Sequence, residues 1–417
     1  MPVKHSEEFN VWKVRQEFPM LHQMMHGKPF VYLDTAATAQ KPRCVVDALI
    51  RFYTQQYGTV HRSVYDFASQ ATARYNTVRQ KVKEFINAHF VEEIIFTKGT
   101  TEGINLVAHS FGKAFLQQGD EVLISEMEHH SNIVPWQLVC EERGAILKVV
   151  PINERAELDM QEFQKLLSDR TKIVSVAHIA NATGTVNPIE EIIKLSHARG
   201  AKVLIDGAQA AGHFAIDVRK LGADFYVFSG HKAYGPTGVG ILYGKKALLE
   251  KMPPYQGGGD MIEEVAFSGT TYQQPPLKFE AGTPGIAEVL GLGEAIDFIN
   301  RLGRDKIAAW EKGLLEYATV RLQELKGVRI IGTASKKGGI ISFVIDGLHP
   351  LDIGTLLDIR GIAVRTGHLC AQPTLQRFGL QSMVRVSFGL YNTTEEIDAF
   401  INALKEAMLL LRPAMSY

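Results

Sequence analysis

The middle of the chain alternates short, strongly apolar runs with helix-like stretches, and this alternation limits the available folds more than any other feature. The runs are Ile94–Thr97, Glu121–Ser125, Lys172–Ala177, Val203–Ile205 and Phe225–Phe228. Strands this apolar, separated by helical patterns, are typical of a mostly parallel sheet that helices cover on both faces. We therefore predict an α/β fold with a mostly parallel central sheet.

Two of the intervening helices carry recognisable end signals. A helix through Leu138 is expected to end at Gly144, because glycine readily adopts the left-handed conformation that closes a helix. Pro188 is expected to open another helix that Gly200 closes, which matches the preference for proline early and glycine late.

The pattern changes after about Gly293, where a smaller α+β domain is predicted. A long helical stretch runs past Trp310, Gly339–Ile345 resembles a strand, and a last helix is expected from Thr394 to about Leu411. We expect a large domain over residues 21–293 and a small domain over residues 294–417. The N-terminal segment 1–20 is expected to pack with the small domain.

Composition sets the expected surroundings of the protein. The 417 residues include 45 Lys and Arg and 45 Asp and Glu, so net charge gives no indication of nucleic acid or an anionic membrane as partner. The N-terminus lacks the apolar core of a signal peptide, and no apolar run is long enough to span a bilayer. We expect a cytoplasmic protein.

The three cysteines are too few for a disulfide framework, and their spacing does not suit zinc, so no metal site is expected. Cys140 lies in an apolar helical stretch and is expected to be a buried structural thiol. Cys44 has little to mark it beyond a nearby helix start. Cys370 lies in the polar, glycine-containing segment Thr366–Pro373, which predicts an accessible loop.

Polar residues just after the predicted strands are the first candidates for chemistry, since open α/β sheets bind ligands at the carboxyl ends of their strands. Gly99–Thr101 opens a helix, which suits an anion such as phosphate, although a plain N-cap is an equal alternative. Asp206 suits the role of a metal ligand, a general base or a partner for a ring nitrogen. Lys232 lies between an apolar strand and a glycine-rich turn, where a partly buried amine can form a Schiff base; a structural lysine is the alternative.

Together these residues indicate pyridoxal 5'-phosphate (PLP). The phosphate needs donors, the pyridine nitrogen needs an acid that keeps it protonated, and the aldehyde needs a lysine. A histidine of Glu128–His130 is placed after a strand end, where it can stack on the cofactor ring. Adjacent histidines point in different directions, so we expect at most one of them to do so.

These segments resemble the class V aminotransferase group of fold-type I PLP enzymes, and within it the SufS-type cysteine desulfurases. The resemblance runs almost from end to end of the chain. The segments that carry it are Tyr32–Thr38, Gly99–Asn105, Met127–Asn132, Asp206–Gln209, Ser229–Lys232, Phe279–Pro284 and Arg365–Ala371.

The resemblance implies a role for each matching residue. Lys232 is expected to form the Schiff base and move the Cα proton, Asp206 to pair with the pyridine nitrogen, Gln209 to bond the ring hydroxyl, and His129 to stack on the ring. The remaining expected ligands are Thr100, Thr101, Ser229 and His231 for the phosphate, Thr283 from the second subunit of a homodimer, and Ala36, Asn181 and Arg385 for the substrate. A structural ion pair is the alternative for Arg385.

The resemblance also implies that Cys370 accepts sulfur from L-cysteine as a persulfide and passes it to a SufE- or SufU-like protein for iron–sulfur cluster assembly. The short spacing from Arg365 to Cys370 resembles the SufS type. The chain departs from that pattern at Leu369, where a second histidine is common, at Ser63–Asp66, and at Gly285–Glu288.

Three alternatives stay open at the level of sequence. The same scaffold serves selenocysteine lyases, which act on L-selenocysteine. Another class V reaction, such as transamination of a small amino acid, would leave Cys370 without a role. A catalytically idle scaffold for sulfur-transfer partners is the third, which the intact set of Lys232, Asp206 and Cys370 disfavours.

Overall fold

A seven-stranded sheet forms the centre of the computed structural model, which describes residues 9–411. The strands lie in the order β1-β7-β6-β5-β4-β2-β3, and within this sheet β7 alone runs antiparallel to its neighbours. The predicted mostly parallel sheet is therefore confirmed. In chain order the strands are β1 (Ile94–Thr97), β2 (Glu121–Ser125), β3 (Ile146–Val150), β4 (Thr171–Ala177), β5 (Lys202–Asp206), β6 (Phe225–Ser229) and β7 (Gly240–Gly244).

Side chains of the central strands alternate between two apolar clusters, one on each face of the sheet. In β5, Val203 and Ile205 belong to the larger cluster and Leu204 to the smaller one. In β6, Tyr226 and Phe228 share the first face while Val227 lies on the second. Since both faces are covered, these strands are apolar throughout instead of alternating with polar residues.

Helices cover the sheets, and the predicted end signals are confirmed. Gly144 follows α5 with a left-handed φ of 66°, Pro188 directly precedes α7, and Gly200 follows α7 with φ 77°. The helices are α1 (Val11–Arg15), α2 (Arg43–Gln55), α3 (Asp66–Phe85), α4 (Thr100–Phe115), α5 (Val134–Arg143), α6 (Met160–Leu166), α7 (Ile189–Ala198), α8 (Val218–Leu221), α9 (Lys246–Lys251), α10 (Ile286–Leu302), α11 (Arg304–Gln323), α12 (Pro350–Ile359), α13 (Gln372–Arg377) and α14 (Thr394–Leu411).

A second, four-stranded antiparallel sheet lies in the C-terminal part of the chain, where the sequence predicts a smaller α+β domain with a strand at Gly339–Ile345. Its order is β8-β9-β11-β10, and α14 spans the predicted range. The strands are β8 (Val328–Ile331), β9 (Ile340–Ile345), β10 (Arg365–Gly367) and β11 (Met383–Ser387).

The N-terminal segment connects to this C-terminal part. Arg15 donates to the carbonyl oxygen of Tyr391 at 2.7 Å and pairs with Glu396 at 2.8 Å. The expected domain boundary after Gly293 falls inside α10. The expectations for the extreme ends of the chain, residues 1–8 and 412–417, lie outside the described residues.

A buried ion pair joins α3 to the segment before the Thr283 loop. Arg79 donates through Nη1 and Nη2 to the two carboxylate oxygens of Glu280, at 2.7 and 2.8 Å. Glu280 also accepts a bond from the Phe96 backbone N–H in β1 at 2.8 Å. The pair therefore ties together α3, β1 and the loop that carries Thr283.

The hairpin Ile262–Ala266 with Gly269–Tyr272 projects from the rest of the chain. All but one of its strand residues are exposed, and Phe267 at its tip is fully so. Among residues 9–411, none of the helices has the length and apolar character that crossing a bilayer requires.

Candidate active site

A cavity of about 280 Å³ opens at the carboxyl ends of β4, β5 and β6 and extends to β10 and β11. Thr283 does not line it and lies exposed in its loop. Every other predicted site residue lines this one cavity: Ala36, Thr100, Thr101, His129, Asn181, Asp206, Gln209, Ser229, His231, Lys232, Cys370 and Arg385.

Lys232 ends a 3-10 turn that directly follows β6. The pKa of its amine is lowered to about 8, chiefly by burial; the Asp206 charge opposes the shift and the Arg385 charge adds to it. At pH 7 about one in ten of these amines is therefore neutral. A neutral lysine is both a nucleophile toward an aldehyde and a base toward carbon.

Asp206 is the last residue of β5 and is buried at the floor of the cavity. Its Oδ1 accepts a bond from the Ala208 backbone N–H at 2.9 Å. Burial raises the pKa of this carboxyl, while the Ala208 bond and the Lys232 charge lower it. Gly207 permits the tight turn, since a Cβ there would lie 2.1 Å from the Tyr226 ring. Asp206 thus presents a buried carboxyl to the cavity, where it can pair with a cationic group.

The start of α4 forms a site for an anion. Gly99 is the N-cap and supplies no side-chain bond to the helix. The hydroxyls of Thr100 and Ser229 lie 2.8 Å apart, and Ser229 also accepts the Thr100 backbone N–H. Gly240 packs against this turn so closely that a Cβ would lie 2.5 Å from the Gly99 Cα. Backbone, hydroxyls and helix dipole here all favour a phosphate.

His129 and His231 are both neutral at neutral pH. Burial lowers the pKa of each to about 4, and in both cases the Lys232 charge adds to the shift. His129 Nδ1 accepts a bond from the Ser131 backbone N–H at 3.1 Å, so its proton lies on Nε2. A neutral imidazole with a fixed tautomer suits stacking on an aromatic ring.

The cavity wall formed by the small sheet carries two arginines. Arg365 in β10 and Arg385 in β11 are direct cross-strand partners. Asp34 separates them and bonds each guanidinium at 3.2 Å. Two like charges facing each other need such a countercharge, and one net positive charge remains at this wall of the cavity.

Two buried polar atoms beside this arginine pair have no partner among the described residues. They are Asn181 Oδ1 and Arg385 Nε. Arg385 also donates through Nη1 to the backbone carbonyl of Asn181 at 3.0 Å, which ties the Arg385 side chain to the Asn181 backbone. Since buried polar groups are normally paired, this corner is built for a bound molecule.

Cys370 lies in a turn between β10 and α13, and it is exposed whereas Cys140 is buried. Three atoms lie within 4.8 Å of one another here: one ring nitrogen of His130, one ring nitrogen of His368 and Cys370 Sγ. His130 Nε2 accepts the Gln372 backbone N–H at 3.2 Å, and His368 Nδ1 accepts that of Cys370 at 3.0 Å. These imidazoles are therefore engaged with the loop backbone.

The roles of Arg365 and Asp34 were missed by sequence reasoning, although both lie in segments that carry the resemblance. The signal for Arg365 was its position five residues before Cys370. Arg365 lies opposite Arg385 because β10 pairs with β11. Asp34 lies beside the two arginines because it forms a β-bridge with Ser387. Neither pairing has a local sequence signal.

The fold and this site agree with the family comparison. The model of the class-V aminotransferases matches residues 31–400, so the chain belongs to the aminotransferase class-V family. The resemblance to that group is thereby confirmed, and its relatives carry a more specific name.

The relatives are cysteine desulfurases. The chain is 52% identical over 96% of its length to a probable cysteine desulfurase of Mycolicibacterium paratuberculosis, and 49% identical over 97% to a cysteine desulfurase of Serratia proteamaculans, of which it covers 99%. It spans 58–65% of the length of the first three curated relatives, including the mycolicibacterial one. The crystal structure of the cysteine desulfurase CsdA of Escherichia coli is 41% identical, with a TM-score of 0.90, covering 97% of this chain and 100% of that one.

Proposed function

We propose that the protein is a PLP-dependent cysteine desulfurase, which converts L-cysteine to L-alanine and retains the sulfur as a persulfide on Cys370. The observation that carries this proposal is the meeting of Lys232, Asp206 and Cys370 around one cavity. A transaminase reaction needs the first two residues and gives the third no task. Cysteine desulfuration uses all three.

The residues present fit PLP. The α4 N-terminus with Thr100, Thr101, Ser229 and His231 would hold the phosphate, since this is where anion donors converge. Asp206 would face the pyridine nitrogen, with Gln209 at the ring hydroxyl and His129 over the ring face. When bound, the cofactor supplies an electron sink for negative charge at the amino-acid Cα.

The chain's own residues then act in order. Arg385 and Asn181, beside Ala36, hold the substrate carboxylate and so fix the orientation of Cα. The Lys232 amine, with its pKa lowered to about 8, takes the Cα proton. Asp206 would keep the ring nitrogen of the bound cofactor protonated, which would make removal of the Cα proton easier.

Sulfur transfer takes place at Cys370. Its thiolate attacks the substrate sulfur, so an S–S bond forms while the substrate Cβ–S bond breaks. Protonation of the three-carbon product at Cβ gives alanine, and the protein is left as the persulfide. No external oxidant is required, because the bond electrons leave with carbon.

We further propose a homodimer in which Thr283 contacts the phosphate of the second subunit. Thr283 lies exposed in its loop, and two neighbouring segments present apolar side chains to solvent, Val64 at 97% exposure and Phe267 at the hairpin tip. Exposed apolar surface of this kind is typical of an interface. The large and small domains, residues 21–293 and 294–417 with 1–20, would then form each subunit.

The acceptor is proposed to be a SufE- or SufU-like protein that supplies sulfur for iron–sulfur clusters, in the cytoplasm. Cys370 supports this because it is exposed and can be reached by a second thiolate.

Incubation of the purified protein with L-cysteine and a thiol reductant tests the proposed reaction. We expect sulfide and alanine in equal amounts. A keto acid that still carries the sulfur, formed without sulfide or alanine, would overturn the proposal in favour of transamination. Cys370→Ala serves as the matched control and should produce almost no sulfide.

A further inference from the structure

Cys370 lies in a turn built from two consecutive left-handed residues. Leu369 has φ 55° and Cys370 has φ 54°. This region is unfavourable for residues with a Cβ, and glycine, asparagine and aspartate normally occupy it. Because two such residues follow one another, the turn persists only if its surroundings stabilise it.

Backbone hydrogen bonds supply part of that stabilisation. Asn181 Nδ2 donates to the Leu369 carbonyl at 2.7 Å, and the His130 N–H donates to the Cys370 carbonyl at 2.8 Å. The Cys370 N–H donates to His368 Nδ1 at 3.0 Å. All three bonds use the backbone of the turn, so they would accept any side chain at position 369.

The side chain of Leu369 supplies the remaining stabilisation. It is 8% exposed and belongs to a small apolar cluster that is separate from the two clusters flanking the central sheet. The cluster draws on both parts of the molecule, with Ala182 following β4, Ile331 in β8 and Met383 in β11. Ala371 and Leu375, just after the turn, complete its buried members.

We propose that Leu369 is a positioning residue, whose buried side chain fixes the left-handed turn and thereby the place of Cys370 Sγ in the cavity. This inference rests on the proposed role of Cys370 as the sulfur acceptor. Leucine carries no charge and no titratable proton, so its effect is on where the thiol lies.

Two substitutions at position 369 separate the anchoring role of the side chain from the effect of backbone strain. Leu369→Ala removes the anchor and keeps a Cβ at positive φ, whereas Leu369→Gly removes the anchor and also the strain. We expect both variants to lower the kcat for alanine formation about 10-fold or more, because misplacement of a reacting atom by about 1 Å is costly. The cofactor absorbance should stay unchanged, since Lys232 and Asp206 are untouched, and the KM for cysteine should change less than the kcat, since Arg385 keeps its bond to Asp34.

A second measurement is independent of turnover. Iodoacetamide labelling of Cys370 in the holoenzyme, followed by peptide mass spectrometry, should be faster in Leu369→Ala because the turn opens. Leu369→Met, which keeps a long apolar side chain, should restore both the kcat and the labelling rate.

Ile331→Ala is the matched control, since it weakens the same cluster from β8 without touching the turn. We expect it to lower the free energy of unfolding while kcat stays within about 2-fold of the parent. Equal slowing in Ile331→Ala and Leu369→Ala, or wild-type rates in Leu369→Ala or Leu369→Gly, would overturn the proposal. Absence of sulfide from the parent enzyme would instead contradict the proposed function.

Discussion

Glu280→Gln should be strongly destabilising, because it breaks a buried ion pair while keeping its volume. Four donors point at this carboxylate: two from Arg79, one from the Phe96 backbone, and the Tyr75 hydroxyl at 3.5 Å. A glutamine must turn its NH2 group, itself a donor, toward one of these donors. It also leaves the Arg79 cation buried without a countercharge. Both side chains of the pair are 6% exposed, so solvent cannot compensate.

The expected loss is about 3–5 kcal/mol of the free energy of unfolding, which is the usual result of removing one partner of a buried pair. Urea unfolding followed by circular dichroism measures it, with an unchanged m value. Replacing both Arg79 and Glu280 by apolar residues should cost less than the sum of the single changes.

The exposed pair Lys312–Glu316, with 3.8 Å between its charged atoms, provides the control. Glu316→Gln should change the free energy of unfolding by less than about 0.5 kcal/mol. If Glu280→Gln is no more destabilising than this control, or if the two changes at the buried pair are additive, the argument from burial is wrong.

Three further outcomes are expected. Lys232→Ala should lose the absorbance that borohydride fixes covalently to the parent protein, and a reducible imine that survives in this variant would contradict the assignment. Mass spectrometry after cysteine treatment should place added sulfur on Cys370; at pH 8 Cys140 should stay unlabelled by iodoacetamide, because burial raises its pKa to about 11 and leaves a thiolate fraction of about one in a thousand. Size-exclusion chromatography with light scattering should give a dimer, and Thr283→Ala should weaken cofactor retention; a fully active monomer would refute the composite site.

The central sheet could be predicted because burial on both faces leaves a strong local signal. Each residue of β2 and β6 is buried, and the apolar runs in the sequence coincide with these strands. β7 escaped prediction since its five residues include two glycines. The antiparallel direction of β7 depends on the path of the chain from β6 to the hairpin of residues 262–272. No local sequence pattern encodes that path.

The site divides in the same way. Asp206 and Lys232 directly follow apolar strands, so their position at the sheet edge could be inferred from the sequence alone. The grouping with Arg385 and Cys370 rested on family resemblance, because the small sheet must dock before those residues reach the cavity. The positive φ values of Leu369 and Cys370 had no signal, since neither residue favours that conformation.

The position of Asp34 between Arg365 and Arg385 has a consequence for ligand exchange. A carboxylate attached to the chain competes with every incoming anion at an effective concentration of the order of millimolar or higher. Small inorganic anions that bind one guanidinium weakly would not displace it. In the proposed reaction a substrate carboxylate would do so because its other end is also held, so occupancy of the arginines would be governed by the whole substrate molecule and not by the concentration of free anions.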